Sequence, residues 1–180
     1  MSLNELLATL PQVGKVEWIG VRPSRRVPMQ VVEVVEARTG KGLTGDRFSG
    51  SPESKRQVTL IQAEHLEVIA RLMQIESLDP ALLRRNIAIS GINLHALNGG
   101  TFRIGDAVFQ GTGGCHPCSR MEEALGPGGY NAMRGHGGLT ARVIEGGLIR
   151  VGDPVRLLQA GQLRKAEQEF RVPQKRIEKD

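Results

Sequence analysis

Hydrophobic and polar residues alternate in short runs along most of the chain, a pattern with the period of β-strands separated by turns. The runs are rich in valine and isoleucine, whose branched side chains favour strands. The pattern predicts strands at 14–21, 29–36, 56–61, 87–90 and 139–145.

Two later runs share a turn signal. Residues 101–109 and 148–157 each carry Gly-Asp between β-branched or aromatic residues, at Gly105-Asp106 and Gly152-Asp153. Because Gly-Asp suits the tight turn between paired strands, both runs predict hairpin-like corners of a small barrel.

Helical patterns are fewer. Ser2 and Glu5 have capping-box spacing at the start of a leucine-rich stretch, and residues 66–73 place apolar side chains on one helical face. Asp79-Pro80 suits the start of one further helical turn. Because strands outnumber helices without strict alternation, the sequence predicts a mostly-β barrel with a few peripheral helices. The predicted divisions are a helical extension at 1–12, the barrel domain at 13–158, and a charged helix or tail at 159–180.

Composition narrows the classes of function. The chain has 180 residues, of which 39% are hydrophobic and 3% aromatic, with a net charge of +5. This balance fits a globular protein with an anionic small-molecule ligand, and the scarcity of aromatic residues argues against nucleic acid as the partner. We expect a cytoplasmic protein without a membrane segment, since no apolar run is long enough to span a bilayer and the first residues do not resemble a secretion signal.

Both cysteines of the chain stand in one glycine-rich stretch, Cys115-His116-Pro117-Cys118, followed by Arg120. We expect 111–120 to be an irregular loop. Nearby positive charge favours thiolate, the form that attacks electrophiles and binds soft metals. The residues alone leave three interpretations open: half of a zinc site, a dithiol redox motif, and two buried thiols in a turn.

Three further groups are candidates for binding. Arg84-Arg85-Asn86 places two guanidinium groups before a strand, which suits an anion or a solvated basic corner. Asp46 and Arg47, behind Gly45, predict an internal ion pair that holds the glycine loop. His136 lies among glycines and has the character of an exposed loop histidine.

Taken together, the motifs resemble the MOSC domain, the C-terminal domain of molybdenum-cofactor sulfurases that also occurs as small stand-alone bacterial proteins. The similarity covers about 13–158, and the matching pieces stand in the family's order: 42–47, 56–61 with Glu64, 84–87, 97–100, 102–106, 117–120, 135–138, 141–144, 146–147 and 151–155.

The resemblance implies a β-barrel similar to that of pyruvate kinase. It also implies sulfur carriage, or binding of molybdenum cofactor (molybdopterin) as in reductases of N-hydroxylated compounds; pyridoxal phosphate binding is a further family-level association. It makes Cys118 the catalytic and metal-binding thiol, with Cys115 as a second catalytic candidate. The cofactor-binding residues that it implies are Arg84, Arg85, Asn86, Arg120, Arg47, Gly45, Asp46 and His136.

One position departs from the metal-ligating branch of the family, whose motif reads Cys-Ser-Arg-Cys. Cys118 matches the first cysteine, and Met121 stands in the last position. A redox or sulfur-donor protein is the expected partner, and a homodimer the expected assembly. The competing hypotheses are a dithiol redox protein that uses Cys115 and Cys118, and a non-catalytic basic binding module.

Overall fold

The computed structural model describes residues 1–158, so the predicted tail at 159–180 lies outside the described residues. The helices in this part are α1 (Leu3–Ala8), α2 (Ala63–Met73), α3 (Ser119–Leu125) and α4 (Gly129–Met133). The strands are β1 (Gly14–Val21), β2 (Gln30–Val31), β3 (Val34–Arg38), β4 (Gly42–Leu43), β5 (Val58–Gln62), β6 (Ile87–Ser90), β7 (Thr101–Ile104), β8 (Ala107–Gly114), β9 (Leu139–Glu145), β10 (Gly147–Arg150) and β11 (Pro154–Leu157).

Seven strands form a closed barrel in the order β11-β7-β8-β9-β5-β6-β1, which closes where β1 pairs with β11. The pairs are antiparallel except β5–β6, whose parallel arrangement requires the crossover that contains α2. A small second sheet has the order β10-β3-β4. The mostly-β barrel predicted from the sequence is confirmed.

The core has two parts because β5 and β6 are buried on both faces. Val58 and Leu60 point into the aliphatic barrel interior, whereas Ile61 packs in a second cluster with residues of the helices. Met121 and Met133, from α3 and α4, belong to that second cluster. Helices α2, α3 and α4 therefore cover the outside of β5 and β6. This packing fixes the position of α3, which carries part of the candidate site.

Most predicted elements form. The strands at 14–21, 87–90 and 139–145, the capped first helix and the helix that contains 66–73 are confirmed. The predicted strand 29–36 divides into β2 and β3, because β2 pairs with β1 while β3 pairs with β10 in the other sheet. No helix among the described residues has the length and apolarity needed to cross a bilayer.

The two Gly-Asp turns have different roles. Gly105-Asp106 joins the antiparallel neighbours β7 and β8, as predicted. The prediction is wrong for Gly152-Asp153, which joins β10 to β11, strands of different sheets. Backbone hydrogen bonds between this turn and Val16 hold it on β1, so the chain passes here from the small sheet to the barrel.

The predicted loop at 111–120 is also wrong in part. Residues 111–114 continue β8 and pair with β9 around a bulge, and α3 begins directly after Cys118. Gly111 lies against the backbone of Leu97 so closely that a Cβ would overlap it. Only the four residues from Cys115 to Cys118 lack regular structure in this stretch.

Candidate functional site

Three arginines from three separate segments line one cavity of about 490 Å³. Arg26 comes from the β1–β2 loop, Arg84 follows a short 3-10 turn (Pro80–Leu83), and Arg120 is the second residue of α3; Glu123 and Ala124 complete the wall. We call this the large arginine cavity. Its three guanidinium groups are matched to an anionic ligand.

Arg26 and Arg84 both have left-handed backbone, with φ of 67° and 55°. Such conformations cost a non-glycine residue of order 1–3 kcal/mol and concentrate at functional sites. The described part of the chain has one other non-glycine residue of this kind, Gln74 at the end of α2. Two of the three therefore lie in the wall of this cavity.

The guanidinium of Arg84 is only partly satisfied by the protein. Nη1 donates to the Val27 carbonyl at 2.8 Å, but Nη2 is buried and has no hydrogen-bond partner among the described residues. Burial lowers the pKa of Arg84, and the positive charges of Arg22, Arg120 and Arg47 lower it further. A bound anion would supply both the missing acceptor and the missing negative charge.

A second cavity of about 200 Å³ is lined by Arg22, Arg47 and Arg56 with Phe48 and Ser49. We call it the small arginine cavity. Because the charges of Arg22 and Arg47 reach Arg84, the two cavities belong to one electropositive region. The region thus joins residues from the β1–β2 loop to α3.

Asp46 lies beneath this region and pairs with Arg22, not with Arg47 as the sequence predicted. The Arg22 side chain makes a two-pronged contact with the carboxylate at 2.9 and 2.8 Å, and the backbone N–H of Arg22 adds a third bond. Burial alone would raise the pKa of Asp46, but the hydrogen bonds and charge of Arg22 outweigh burial and hold that pKa below its usual range.

Asn86 is fully buried and completes the same network. Its amide nitrogen donates to Asp46 and to the Gly20 carbonyl, while its oxygen accepts from the N–H and the hydroxyl of Thr59. Both polar ends of the side chain are engaged within the protein. Asn86 and Asp46 therefore support the arginine region from below, away from its cavities.

Arg85 points in the opposite direction from Arg84. It is 4% exposed, and its three nitrogens donate to the carbonyls of Gly137, Leu83 and Cys115 at 2.8, 2.8 and 3.2 Å. Burial lowers the pKa of Arg85, whereas the neighbouring thiols Cys115 and Cys118 raise it. This side chain joins three segments of backbone around the cysteines.

The two cysteines are free and have different surroundings. Cys115 is buried, and its Sγ accepts a hydrogen bond from Arg56 Nη2 at 3.2 Å. Cys118 is exposed at the N-cap of α3, two residues before Arg120. Among the described residues, no three His, Cys, Asp or Glu side chains form a metal-binding group.

His136 and Gly45 do not line either arginine cavity. The His136 ring meets His65 of α2 edge to face, 4.8 Å between centroids, and Nδ1 of each ring is buried without a partner in the described structure. Burial, and then the charge of His136, lower the pKa of His65. Gly45 forms the turn between β4 and Asp46.

The structure thus places Arg84, Arg120 and Arg47 at the cavities, whereas Cys118, the N-cap of α3 two residues before Arg120, lines neither of them. Arg85, Asn86 and Asp46 lie beneath. Arg22, Arg26 and Arg56 were not predicted from the sequence as site residues. The first two stand in the basic turn at 22–28, and that concentration of charge was the available signal.

Comparison with models of protein families identifies the family of this chain. The family model of the MOSC domain matches residues 42–156. Among solved structures, the YuaD protein from Bacillus subtilis has 20% identity and a TM-score of 0.69, covering 82% of this chain and 97% of that one. YiiM from Geobacillus stearothermophilus has 17% identity and a TM-score of 0.66, covering 82% and 76% of the two chains.

YiiM from Escherichia coli has 20% identity and a TM-score of 0.61, covering 81% of this chain and 70% of that one. At such identities these likenesses show the fold. None of the curated proteins matches the sequence at a significant level. Since the family model covers well over half of the 180 residues and the barrel is shared with these structures, the chain belongs to the MOSC domain family.

Proposed function

We propose that this protein binds an anionic, molybdopterin-type cofactor in the arginine region, with Cys118 as the thiol that ligates the metal or carries sulfur. The observation that carries the proposal is the buried, unpartnered Nη2 of Arg84 in the wall of a cavity that Arg26 and Arg120 also line. A buried donor without an acceptor is costly, and a phosphate oxygen would satisfy it.

The donor set fits such a cofactor. Arg26, Arg84 and Arg120 would hold its phosphate, and the exposed thiol of Cys118 stands in the same helical turn as Arg120. When bound, the cofactor supplies a redox-active metal for which a thiolate is a suitable soft ligand. Pyridoxal phosphate, the family-level association, would use the same arginines for its phosphate.

Cys118 is the accessible sulfur of this region. Cys115 is buried, and Met121 fills the helical cluster of the core, so its thioether is not offered to a ligand. An exposed thiolate can also hold sulfur as a persulfide. We propose a sulfur-donor or redox protein as the partner that reaches Cys118, in a reducing compartment such as the cytoplasm, where both thiols stay free.

The test is to purify the protein from cells that make molybdenum cofactor and from cells that cannot. Molybdenum is measured by mass spectrometry of the elements, pterin by fluorescence after oxidation, and persulfide by the mass increase of one sulfur atom. We expect metal and pterin only on protein from cells that make the cofactor, and persulfide only on protein with an intact Cys118. Absence of all three from a folded protein would contradict the proposal.

Two variants separate the roles of anion binding and thiol. Arg84→Gln is expected to lower pterin and metal together, because the phosphate grip is lost. Cys118→Ser is expected to remove the persulfide or lower the metal while much of the pterin stays bound. Arg71→Gln is the control, since Arg71 is an exposed arginine paired with Glu67 on α2 and its loss should change neither quantity.

A dithiol redox function is the second candidate, favoured by the hydrogen bond from Arg56 to the Cys115 sulfur. It predicts a Cys115–Cys118 disulfide with a reduction potential in the physiological range. Titration of the purified protein against a glutathione or thioredoxin buffer, read by mass spectrometry, measures that potential. A disulfide that does not form under mild oxidation would remove this candidate.

A further inference from the structure

Arg84 and Arg85 are neighbours in the chain, but Arg84 lines the large arginine cavity and Arg85 is unavailable to a ligand. Its side chain is 4% exposed, and each of its three nitrogens already donates to a backbone carbonyl. Among the described residues it has no ion pair with a carboxylate. A buried guanidinium without an anionic partner is costly, and here its hydrogen bonds to three carbonyls are the compensating contacts.

The three carbonyls belong to segments that are distant in the chain. Leu83 ends the 3-10 turn that precedes Arg84, Gly137 lies in the loop before β9, and Cys115 begins the irregular segment after β8. Only arginine combines three nitrogens in a rigid planar fork with that reach. Arg85 therefore fixes these segments relative to one another.

The last two of these segments are in close backbone contact. Cys115 N–H donates to the Gly138 carbonyl at 2.8 Å, and a Cβ on Gly137 would overlap the Cys115 carbonyl. Three residues later the chain reaches Cys118 and enters α3, which carries Arg120. Whatever holds Cys115 in place therefore also sets the start of α3.

We propose that Arg85 is a positioning residue, which fastens the cysteine segment to the 3-10 turn and so sets the start of α3, with Cys118 at its N-cap and Arg120 in the cavity that Arg84 lines. This assignment rests on the proposed function only in taking Cys118 as the reacting thiol. It changes the role that the sequence predicted for Arg85 from binding the cofactor to holding the residues that bind it.

The first test uses the unaltered protein. NMR measures the exchange of the arginine Nε–H groups with solvent. We expect the Nε–H of Arg85 to exchange slowly, because it is buried and donates to the Gly137 carbonyl, in contrast to the Nε–H groups of exposed arginines such as Arg71. Fast exchange at Arg85 would overturn the proposal.

The second test measures how fast iodoacetamide modifies each cysteine in the folded protein. In the unaltered protein Cys118 reacts and buried Cys115 is protected. In Arg85→Lys and in Arg85→Met we expect the modification rate of Cys115 to rise by about tenfold or more, because the segment opens locally. Lysine keeps the charge but cannot span three carbonyls, so both variants should behave alike.

Two controls distinguish positioning from a general loss of stability. Gln62→Met removes another buried side chain that binds backbone, because Gln62 accepts a hydrogen bond from the Leu94 N–H. This variant should leave Cys115 protected even when its melting temperature falls as far as that of Arg85→Lys. Ethylguanidinium added to Arg85→Ala should restore the protection of Cys115. Full protection in Arg85→Lys, or none restored by ethylguanidinium, would contradict the proposal. These measurements need no cofactor, so they can succeed even if the proposed cofactor does not bind.

Discussion

At the scale of single residues, the backbone of Arg84 explains how two neighbouring arginines acquire opposite roles. Arg84 caps the 3-10 turn in a left-handed conformation, and the chain then enters β6 through Arg85 and Asn86. This change of direction sends the Arg84 side chain to the large arginine cavity and the Arg85 side chain into the interior. The left-handed backbone of Arg84 lowers the stability of the fold, and it places the Arg84 guanidinium in the cavity wall.

Arg84→Gly should therefore be stabilising while it removes anion binding. Glycine adopts a positive φ without the cost that arginine bears, and the substitution also removes a buried donor without a partner. Against these gains stands the loss of the hydrogen bond to Val27. We expect the free energy of unfolding to rise by about 1 kcal/mol in urea titrations.

Gln74→Gly is the matched control for this change. Gln74 has a similar φ of 57° at the exposed end of α2, so the same relief of strain is expected there. The affinity for a phosphate-bearing pterin should fall in Arg84→Gly alone. A loss of stability above about 1 kcal/mol in Arg84→Gly would show that its side chain is structural.

Asp46→Asn should remove most of the loss of folding stability at acid pH that arises from the arginine region. The folded pKa of Asp46 lies below the ordinary value, so the ionised carboxylate stabilises the protein above about pH 4, and that contribution is lost as the pH falls through the folded pKa. At pH 7 the variant leaves Arg22 without its charge partner and should lose about 3–5 kcal/mol.

The measurement is the free energy of unfolding from pH 7 to pH 2.5. The difference between the two proteins should narrow below about pH 4, where Asp46 takes up its proton first in the unfolded chain and at lower pH in the folded protein. Glu67→Gln, which breaks an exposed ion pair with Arg71, should change stability by less than about 1 kcal/mol at any pH. A difference that stays constant with pH would contradict the role of the ionised carboxylate.

At the scale of elements, the loop at 135–138 requires glycine at the position where its backbone contacts β5. Gly138 has a φ of +91°, and a Cβ there would overlap the carbonyl of Leu60 in β5. Because the obstacle is backbone of a barrel strand, it cannot move aside cheaply. Gly138→Ala should cost well above the roughly 1–2 kcal/mol of left-handed strain alone.

Gly128→Ala isolates that strain. Gly128 has a left-handed backbone, with a φ of 90° and a ψ of −7° at the N-cap of α4, and a Cβ there would meet no atom within 4 Å. Thermal unfolding of both variants should therefore show a much larger fall in melting temperature for Gly138→Ala. Equal falls would mean that the loop can withdraw from β5.

The elements that the sequence predicted correctly are those determined by local patterns. Alternation defines β1, β6 and β9, and the apolar face of 66–73 defines α2. Helices α3 and α4 were not predicted, because seven and five residues are too few for a clear period and glycine surrounds them. The pairing of β10 with β3 joins segments that are distant in the chain, and turn residues such as Gly152 do not encode it.

The candidate site shows the same limit. The motifs indicated Arg84, Arg120 and Cys118, since each stands in a recognisable run. Arg26 and Arg56 became candidates only when the fold brought their segments to the cavities. A basic turn has the same sequence whether it faces solvent or a ligand, so tertiary contact decides its role.

At the scale of the whole molecule, stability depends on the closure of the barrel and hardly at all on α1. No residue of α1 is buried, and its leucines Leu3, Leu6 and Leu7 are largely exposed. Closure, in contrast, has few contacts: the pairing of β1 with β11 rests on Gly14 opposite Val155 and Lys15 opposite Pro154. Val155 is fully buried there.

Two changes at this joint therefore have opposite expected outcomes. Deletion of residues 1–8 removes a helix in which no residue is buried, so the melting temperature should change by less than about 2 °C, which is below about 1 kcal/mol for a protein of this size. Val155→Ala removes two buried methyl groups where the barrel closes and should cost about 2 kcal/mol or more. Calorimetry of both proteins measures the difference. If the deletion were the more damaging change, α1 would have to cover a surface in solution, and the barrel closed by β1 and β11 would not be the unit that folds.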